Sequence, residues 1–247
     1  MMMQNSSTPR HRGIYLLPNL FTTGAMFAGF YAITSAINGR FEVAAIAMFI
    51  AMVLDGLDGR IARLTHTQSE FGVQYDSLSD MVSFGVAPAI VMYLWILSTM
   101  GQAGLFAAFV HMAGGALRLA RFNTQVDVAD KRYFQGLPSP AAAAILAGGL
   151  WFCIENDYNP ENIKYLVSIT CIATGLLMVS NFRYSSFKEI DLKNKVPFMV
   201  AILAMLIVSF VMAQPQRMLF LISVAYAISG PVVTLVQRRR KLQSRKS

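Results

Sequence analysis

The feature that most constrains this 247-residue chain is a succession of apolar blocks, each close to the length that crosses a bilayer. A helix rises about 1.5 Å per residue and the hydrocarbon core is roughly 30 Å thick, so about 20 apolar residues span it. Eight blocks can be read: Leu20–Ile37, Phe41–Leu57, Val82–Ser98, Ala103–Ala120, Ala141–Ile154, Tyr165–Val179, Pro197–Met212 and Met218–Val236. The fifth is short, and its spacing predicts a tilted helix or one extended through Pro138 and Pro140. Charged residues make up 14% of the chain, against about 25% in soluble domains, too few to cover a surface that faces water on all sides. The expectation is an all-α, polytopic transmembrane bundle of about eight helices. Arg10 and Arg12 precede the first block as they would in a signal peptide. Its apolar run is longer than the roughly 7–15 residues of a cleaved leader, so it reads as a retained anchor.

Basic residues set the orientation. With the N-terminus inside, all of the 21 Lys and Arg residues except Arg40, Lys164 and Arg217 fall in inner segments. Both termini are therefore expected in the cytoplasm. The chain divides into an N-terminal segment 1–19, a membrane domain 20–236 and a basic tail 237–247. The net charge of +8, concentrated in part at Arg238-Arg239-Arg240-Lys241, is explained by topology and by anionic headgroups of the bilayer, so no nucleic-acid partner is expected. Cys153 and Cys171 lie in apolar blocks without metal or redox spacing and read as packing residues, as does His111 among its small neighbours.

The chemistry concentrates between residues 55 and 80, DGLDGRIARLTHTQSEFGVQYDSLSD. Asp55 and Asp58 are spaced i,i+3 at the inner end of the second helix, and Asp76 and Asp80 i,i+4 at the start of the third. Either spacing puts both carboxylates on one helix face. A hairpin joining the two helices would gather four of the chain's 13 acidic residues at one membrane face. Crowded carboxylates repel, and ionisable groups at membrane depth are costly. Hard divalent cations resolve the conflict and would leave coordination sites for a pyrophosphate. The surrounding residues suit a phosphate-bearing lipid. Gly59 and Ala62 leave space beside Asp58, Arg63 carries a cationic fork, Ser69 offers a hydroxyl, and Gly72 opens room before Asp76. Singly, an aspartate could cap a helix, Arg63 could mark topology and the glycines could serve helix packing. Capping does not explain all four aspartates together.

The pattern D-x-x-D-G-x-x-A-R-x(8)-G-x(3)-D-x(3)-D, filled by Asp55, Asp58, Gly59, Ala62, Arg63, Gly72, Asp76 and Asp80, resembles the signature of the CDP-alcohol phosphatidyltransferases. The resemblance implies two divalent cations, Mg²⁺ or Mn²⁺, on the four aspartates. Asp55 and Asp76 would be shared by both ions, with Asp58 favouring one and Asp80 the other. It also implies that Asp80 is the general base for the acceptor hydroxyl, and that CDP-diacylglycerol is the donor, contacted by Gly59, Arg63 and Ser69. The segment Leu17-Pro18-Asn19-Leu20-Phe21-Thr22 looks like the start of the family's first membrane helix and adds Asn19 and Thr22 to the donor site. Pro18 and Asn19 are also ordinary helix-start residues.

The segments RLARFN at 118–123, GLPSPAAA at 136–143 and LMVSNFRYSSFK at 177–188 look like the membrane-integral phosphatidylserine synthases within that family. This implies L-serine as acceptor and a multi-pass protein of the bacterial inner membrane with its site at the cytoplasmic face. Arg118 and Arg121, i,i+3 on one face, would then meet the serine carboxylate, and the Asn123 amide oxygen its ammonium. The plainer account is that both arginines mark the membrane boundary. Lys131 and Arg132 read as surface charges, and Tyr184, Ser186 and Lys188 as neighbours of the site without an assigned role. A homodimer is implied by the resemblance, and Gly114 and Gly115 would permit close helix contact. Two alternatives remain: a relative that uses glycerol 3-phosphate or an inositol phosphate, and an ion-coupled transporter. The transporter is disfavoured because no repeat is visible and the acids sit at one face rather than at the midplane.

Overall fold

The computed structural model describes residues 16–65, 67, 69–124, 133–185, 205 and 213–243. Within them the chain forms seven helical rods and one short strand pair. Helix α1 (Leu16–Ile37) turns at Gly39 into α2 (Phe41–Leu64). Helix α3 (Glu70–Asp80) continues through a π-helical turn (Met81–Val86) into α4 (Ala87–Trp95), making one rod. A 3₁₀ turn (Leu97–Met100) leads to α5 (Gln102–Thr124), followed by β1 (Tyr133–Gln135), α6 (Ser139–Glu155), α7 (Pro160–Val179), β2 (Arg183–Ser185) and α8 (Pro215–Gln243). The seventh apolar block lies outside the described residues except for Met205, as do residues 1–15, Lys131, Arg132, Ser186, Lys188 and the last residues of the basic tail.

Among the described residues, five helices are long and apolar enough to cross a membrane: Leu17–Ile37, Glu70–Trp95, Gln102–Thr124, Pro160–Val179 and Pro215–Val236. Helix α2 has the length, but its last turns carry Asp55, Asp58, Arg60 and Arg63. Large apolar side chains face outward along the rods, among them Leu20, Phe27, Phe106, Ile169 and Leu221. Such a surface suits lipid and is unusual against water. The interior is built from small residues, including Ala32, Ala36, Ala44, Ala45 and Ala47, around Met48, Val91, Met92 and Leu150. Cys171 is buried in that core and Cys153 is half-buried, neither in a disulfide. A side chain at Gly114 would collide with the Gly175 backbone, so α5 and α7 touch backbone to backbone.

Local chemistry explains most boundaries. Helix α1 begins at Leu16, ahead of the expected start at Leu20, because a proline such as Pro18 is tolerated in a first turn, where the amide has no partner. Helix α6 starts after Pro138 with Pro140 in its first turn and stays short, at 17 residues. Helix α7 is capped by Asn159, whose side chain accepts from the Glu161 amide at 3.0 Å. The strands pair antiparallel, with Phe134 opposite Tyr184. Gly136, at φ +79°, makes the turn out of β1, where a side chain would strike the Met178 carbonyl. The Tyr184 ring is buried against Gly230, and its hydroxyl donates to the Ala227 carbonyl at 3.0 Å, fastening β2 to α8. The start of α1, the end of α2, the starts of α3 and α6, the end of α5 and the strand pair all gather at one end of the bundle.

Candidate active site

Helices α2 and α3 meet through the short connection after Leu64, and this brings three aspartates together. One carboxylate oxygen from each of Asp55, Asp76 and Asp80 lies within 4.8 Å of the others. The Oδ1 atoms of Asp76 and Asp80 are buried and accept no hydrogen bond. Buried carboxylate oxygens without donors carry a large desolvation cost. A divalent ion is the group such a donor set accommodates, since hard cations bind several carboxylate oxygens at once. The cluster could therefore hold a metal ion.

Asp58 occupies a different position. It is 5% exposed, and its Oδ2 accepts from the Thr22 hydroxyl at 2.6 Å. Together with Asp76 it borders a cleft of about 460 Å³. Asn19, Thr22, Gly59, Ala62, Arg63, Ser69 and Gly72 line the same cleft, so all seven residues singled out for the donor face one space. Ser69 caps α3 by accepting from the Gly72 amide at 3.0 Å, which leaves its own hydroxyl proton free to donate. A side chain at position 72 would meet Ser69 Oγ at 3.2 Å and lie 3.7 Å from Asn19 Oδ1, so glycine lets the start of α3 approach α1. A side chain at position 59 would lie 3.8 Å from an Arg63 guanidinium nitrogen, so glycine there leaves that guanidinium room at the cleft wall. Thr67, Glu70 and Val73 also line the cleft and had no role in the sequence reading.

Three hydrogen bonds fix the rod that α3 begins to α1, two from α3 itself and one from the π-helical turn that follows it. Ser79 donates to the Thr22 carbonyl at 3.0 Å, Ser83 donates to the Ala25 carbonyl at 3.0 Å, and the Thr23 and Tyr75 hydroxyls lie 2.8 Å apart. These contacts set Asp76 and Asp80 relative to Thr22 and Asp58.

Helix α5 delivers the expected acceptor residues, but to different places. The Arg118 guanidinium lies within Coulombic reach of Asp80, Asp55 and Tyr226. One of its terminal nitrogens donates to Ser139 Oγ at 2.9 Å, while Nε is buried without a partner. Arg121 instead reaches Asn181 Oδ1 at 3.4 Å. Asn123 is tied to α3, its Oδ1 accepting from Ser77 at 3.1 Å and its Nδ2 donating to Gln74 Oε1 at 3.3 Å. Ser139 and Tyr226 join the site through folding alone. Ser139 sits inside the GLPSPAAA segment, and its one sequence signal is that a buried Arg118 needs an acceptor.

The sequence model of the CDP-alcohol phosphatidyltransferase family matches residues 15–177. The CDP-diacylglycerol–serine O-phosphatidyltransferase of Helicobacter pylori (strain ATCC 700392 / 26695) is 37% identical over 219 residues, covering 88% of this chain and 90% of that protein. The enzyme of the same name from Mycobacterium leprae is 31% identical over 242 residues, 94% of this chain and 80% of the relative. That of Methanocaldococcus jannaschii is 40% identical over 141 residues, 57% of this chain and 62% of the relative.

Proposed function

The chain belongs to the CDP-alcohol phosphatidyltransferase family, and from that premise we propose that it transfers the phosphatidyl group of CDP-diacylglycerol to L-serine, giving phosphatidylserine and CMP. The observation that carries the proposal is the three-aspartate cluster, whose Asp76 also lines the cleft that holds every residue expected to contact the donor. Relatives named for the serine reaction, matched over most of the chain, support the choice of acceptor.

Asn19, Thr22, Gly59, Ala62, Arg63, Ser69 and Gly72 hold the cytidine diphosphate portion in the cleft, with the Arg63 fork suited to phosphate oxygens. Asp55, Asp76 and Asp80, with Asp58 on the cleft side, would hold two divalent cations, Mg²⁺ or Mn²⁺, which would supply positive charge against the pyrophosphate and make CMP a better leaving group. Asp80 is the general base. Its unpartnered Oδ1 takes the proton of the serine hydroxyl. The freed oxygen pair bonds to the lipid-side phosphorus, and the bond from that phosphorus to the CMP oxygen breaks. Arg118, with Nε unpartnered beside Asp80, receives the serine carboxylate, and Arg121 and Asn123 border the approach. The distribution of basic residues supports a site at the cytoplasmic face, and the bacterial relatives named for the serine reaction support an inner-membrane location. We also place the protein in a homodimer, which the mass of the detergent-solubilised protein checks. Acids gathered at one end of the bundle speak against an ion pathway, which would run through the midplane.

The test is CMP release from CDP-diacylglycerol with each acceptor in turn. Serine-dependent CMP and phosphatidylserine are expected. Release that depends on glycerol 3-phosphate or an inositol phosphate, with none on serine, would reassign the acceptor.

A further inference from the structure

The rod that carries Asp76 and Asp80 is not α-helical throughout. Directly after Asp80 the chain makes a π-helical turn over Met81–Val86, in which the Ala87 amide bonds the Val82 carbonyl five residues back. A π-turn holds one extra residue, which rotates everything before it by about 100° relative to everything after it. The sequence supplies a cause. In a continuous α-helix the Phe84 carbonyl would accept from residue 88, but residue 88 is Pro88, which has no amide hydrogen. Phe84 is fully buried, so water cannot satisfy that carbonyl.

His111 on α5 stands opposite. It is 0% exposed, and its Nε2 lies 3.2 Å from the Phe84 carbonyl. A carbonyl can only accept, so Nε2 carries the hydrogen, and in the neutral ring Nδ1 accepts from the Thr174 hydroxyl at 2.8 Å. Thr174 thus orients the ring from α7. No side chain intervenes where Gly85 and Gly115 bring the turn and α5 together, a Cβ at Gly115 lying 3.4 Å from the Gly85 Cα. On the other side, Ser79 and Ser83 bond α1 carbonyls. The turn is clamped between α1 and α5, and His111 is the clamp on the α5 side.

We infer that His111 is a positioning residue for Asp76 and Asp80: by donating to the Phe84 carbonyl it fixes the π-turn that sets the angle at which α3, carrying both carboxylates, meets Asp55 on α2. The chain of contacts runs from Thr174 through His111 and Phe84 to the first turn after Asp80. Losing the donor leaves a buried carbonyl unsatisfied, and the turn relaxes toward geometries in which the three carboxylates no longer converge. This inference rests on the aspartates holding a divalent ion.

The test uses the full chain in detergent, with Mn²⁺ as sole addition, and follows the rise in melting midpoint as Mn²⁺ is titrated. Four proteins are compared: wild type, His111→Leu, His111→Gln and Leu150→Ala. Gln places an amide hydrogen near the position of Nε2. Leu150 is a buried core residue of α6 outside the site and serves as the destabilised control. His111→Leu should need about tenfold more Mn²⁺ for half the stabilisation, in the range seen when support of metal ligands is lost. His111→Gln should recover most of that loss, and Leu150→Ala should melt earlier with an unchanged Mn²⁺ requirement. If His111→Leu does not fold, Thr174→Val, which releases the ring and gives up only a bond to the Cys171 carbonyl within α7 besides, should shift the requirement in the same direction. An unchanged requirement in the His111 or Thr174 variants, or a Gln variant no better than Leu, overturns the positioning role while the metal site stands. No Mn²⁺ response in the wild type overturns both.

Discussion

The Thr22 hydroxyl donates to Asp58 Oδ2 at 2.6 Å across the α1–α2 interface, joining the two aspartate-bearing elements to the first helix. Its backbone carbonyl accepts from Ser79 on α3, so one residue of α1 bonds both helices that carry the aspartates. Asp58 is almost fully buried, and a hydrogen bond to a charged group contributes about 1.5–3 kcal/mol. Thr22→Val keeps the shape and removes the donor. It should lower kcat/KM for CDP-diacylglycerol by about tenfold or more, that energy expressed as a rate ratio. Thr22→Ser should stay near wild type, and the serine KM should change little in either. A serine effect as large as the donor effect would show that Thr22 does not act through the donor cleft.

Asp80→Asn removes the proposed base and one metal ligand, while the cleft lining from Asn19 to Gly72 is untouched. Turnover should fall by about 10²–10⁴-fold or more, the usual contribution of a positioned base. Binding of CDP-diacylglycerol, followed by displacement of a labelled nucleotide lipid, should largely persist. A variant that keeps near-normal turnover would exclude Asp80 as the base.

Arg118→Ala should raise the serine KM more than the CDP-diacylglycerol KM, because the guanidinium faces Asp80 and Ser139 rather than the donor cleft. Arg118→Lys should rescue poorly, since an ammonium cannot hold Ser139 and a carboxylate with one planar fork. Arg121→Ala should have the smaller effect, as Arg121 is engaged with Asn181. Equal changes in both KM values would count against a serine pocket at Arg118.

The parts of this site that could be read from the sequence are those governed by local periodicity. Asp55 with Asp58 and Asp76 with Asp80 share helix faces because their spacing matches 3.6 residues per turn, and Gly59, Ala62 and Arg63 follow on the same helix. The apolar blocks that fall within the described residues were equally legible, although α2 runs on to Leu64 through a charged end that hydropathy alone truncates at Leu57. What was hidden depends on partners distant in the chain. Ser139 meets Arg118 across 21 residues, and the Phe134–Tyr184 pairing joins loops too short to show a strand pattern. The π-turn leaves the apolar run intact and is signalled by Pro88 alone. His111, read as a packing residue, is buried as expected, but both ring nitrogens are engaged in hydrogen bonds that sequence cannot display.

Gly114 tests the packing on which Arg118 and His111 depend. A methyl group there would press on the Gly175 backbone, which cannot yield as a side chain tip would. Gly114→Ala should therefore destabilise the protein by about 1–3 kcal/mol, the usual cost of overpacking, read as a lower melting midpoint in detergent. Gly56→Ala, with open space around its Cβ position, is the matched control and should melt near wild type or slightly higher. Equal melting of the two variants would show that α5 and α7 do not approach as closely as described.

Removal of divalent cations bears on the whole catalytic proposal. Oxygens of Asp55, Asp76 and Asp80 converge within 4.8 Å, and two of the oxygens in this cluster are buried without any donor. At an effective dielectric near 20, like charges about 4 Å apart repel by about 4 kcal/mol per pair, so the convergence is stable in charged form only with a cation among them. Chelation should abolish CMP release, and added Mg²⁺ or Mn²⁺ should restore it. Ca²⁺ should restore less, because it prefers longer bonds of about 2.3–2.6 Å and more ligands. The measurement is acceptor-dependent CMP release, with residual metal quantified by elemental analysis. Full synthetic rate in protein shown to be free of metal would leave three crowded carboxylates without a chemical purpose and remove the proposed mechanism.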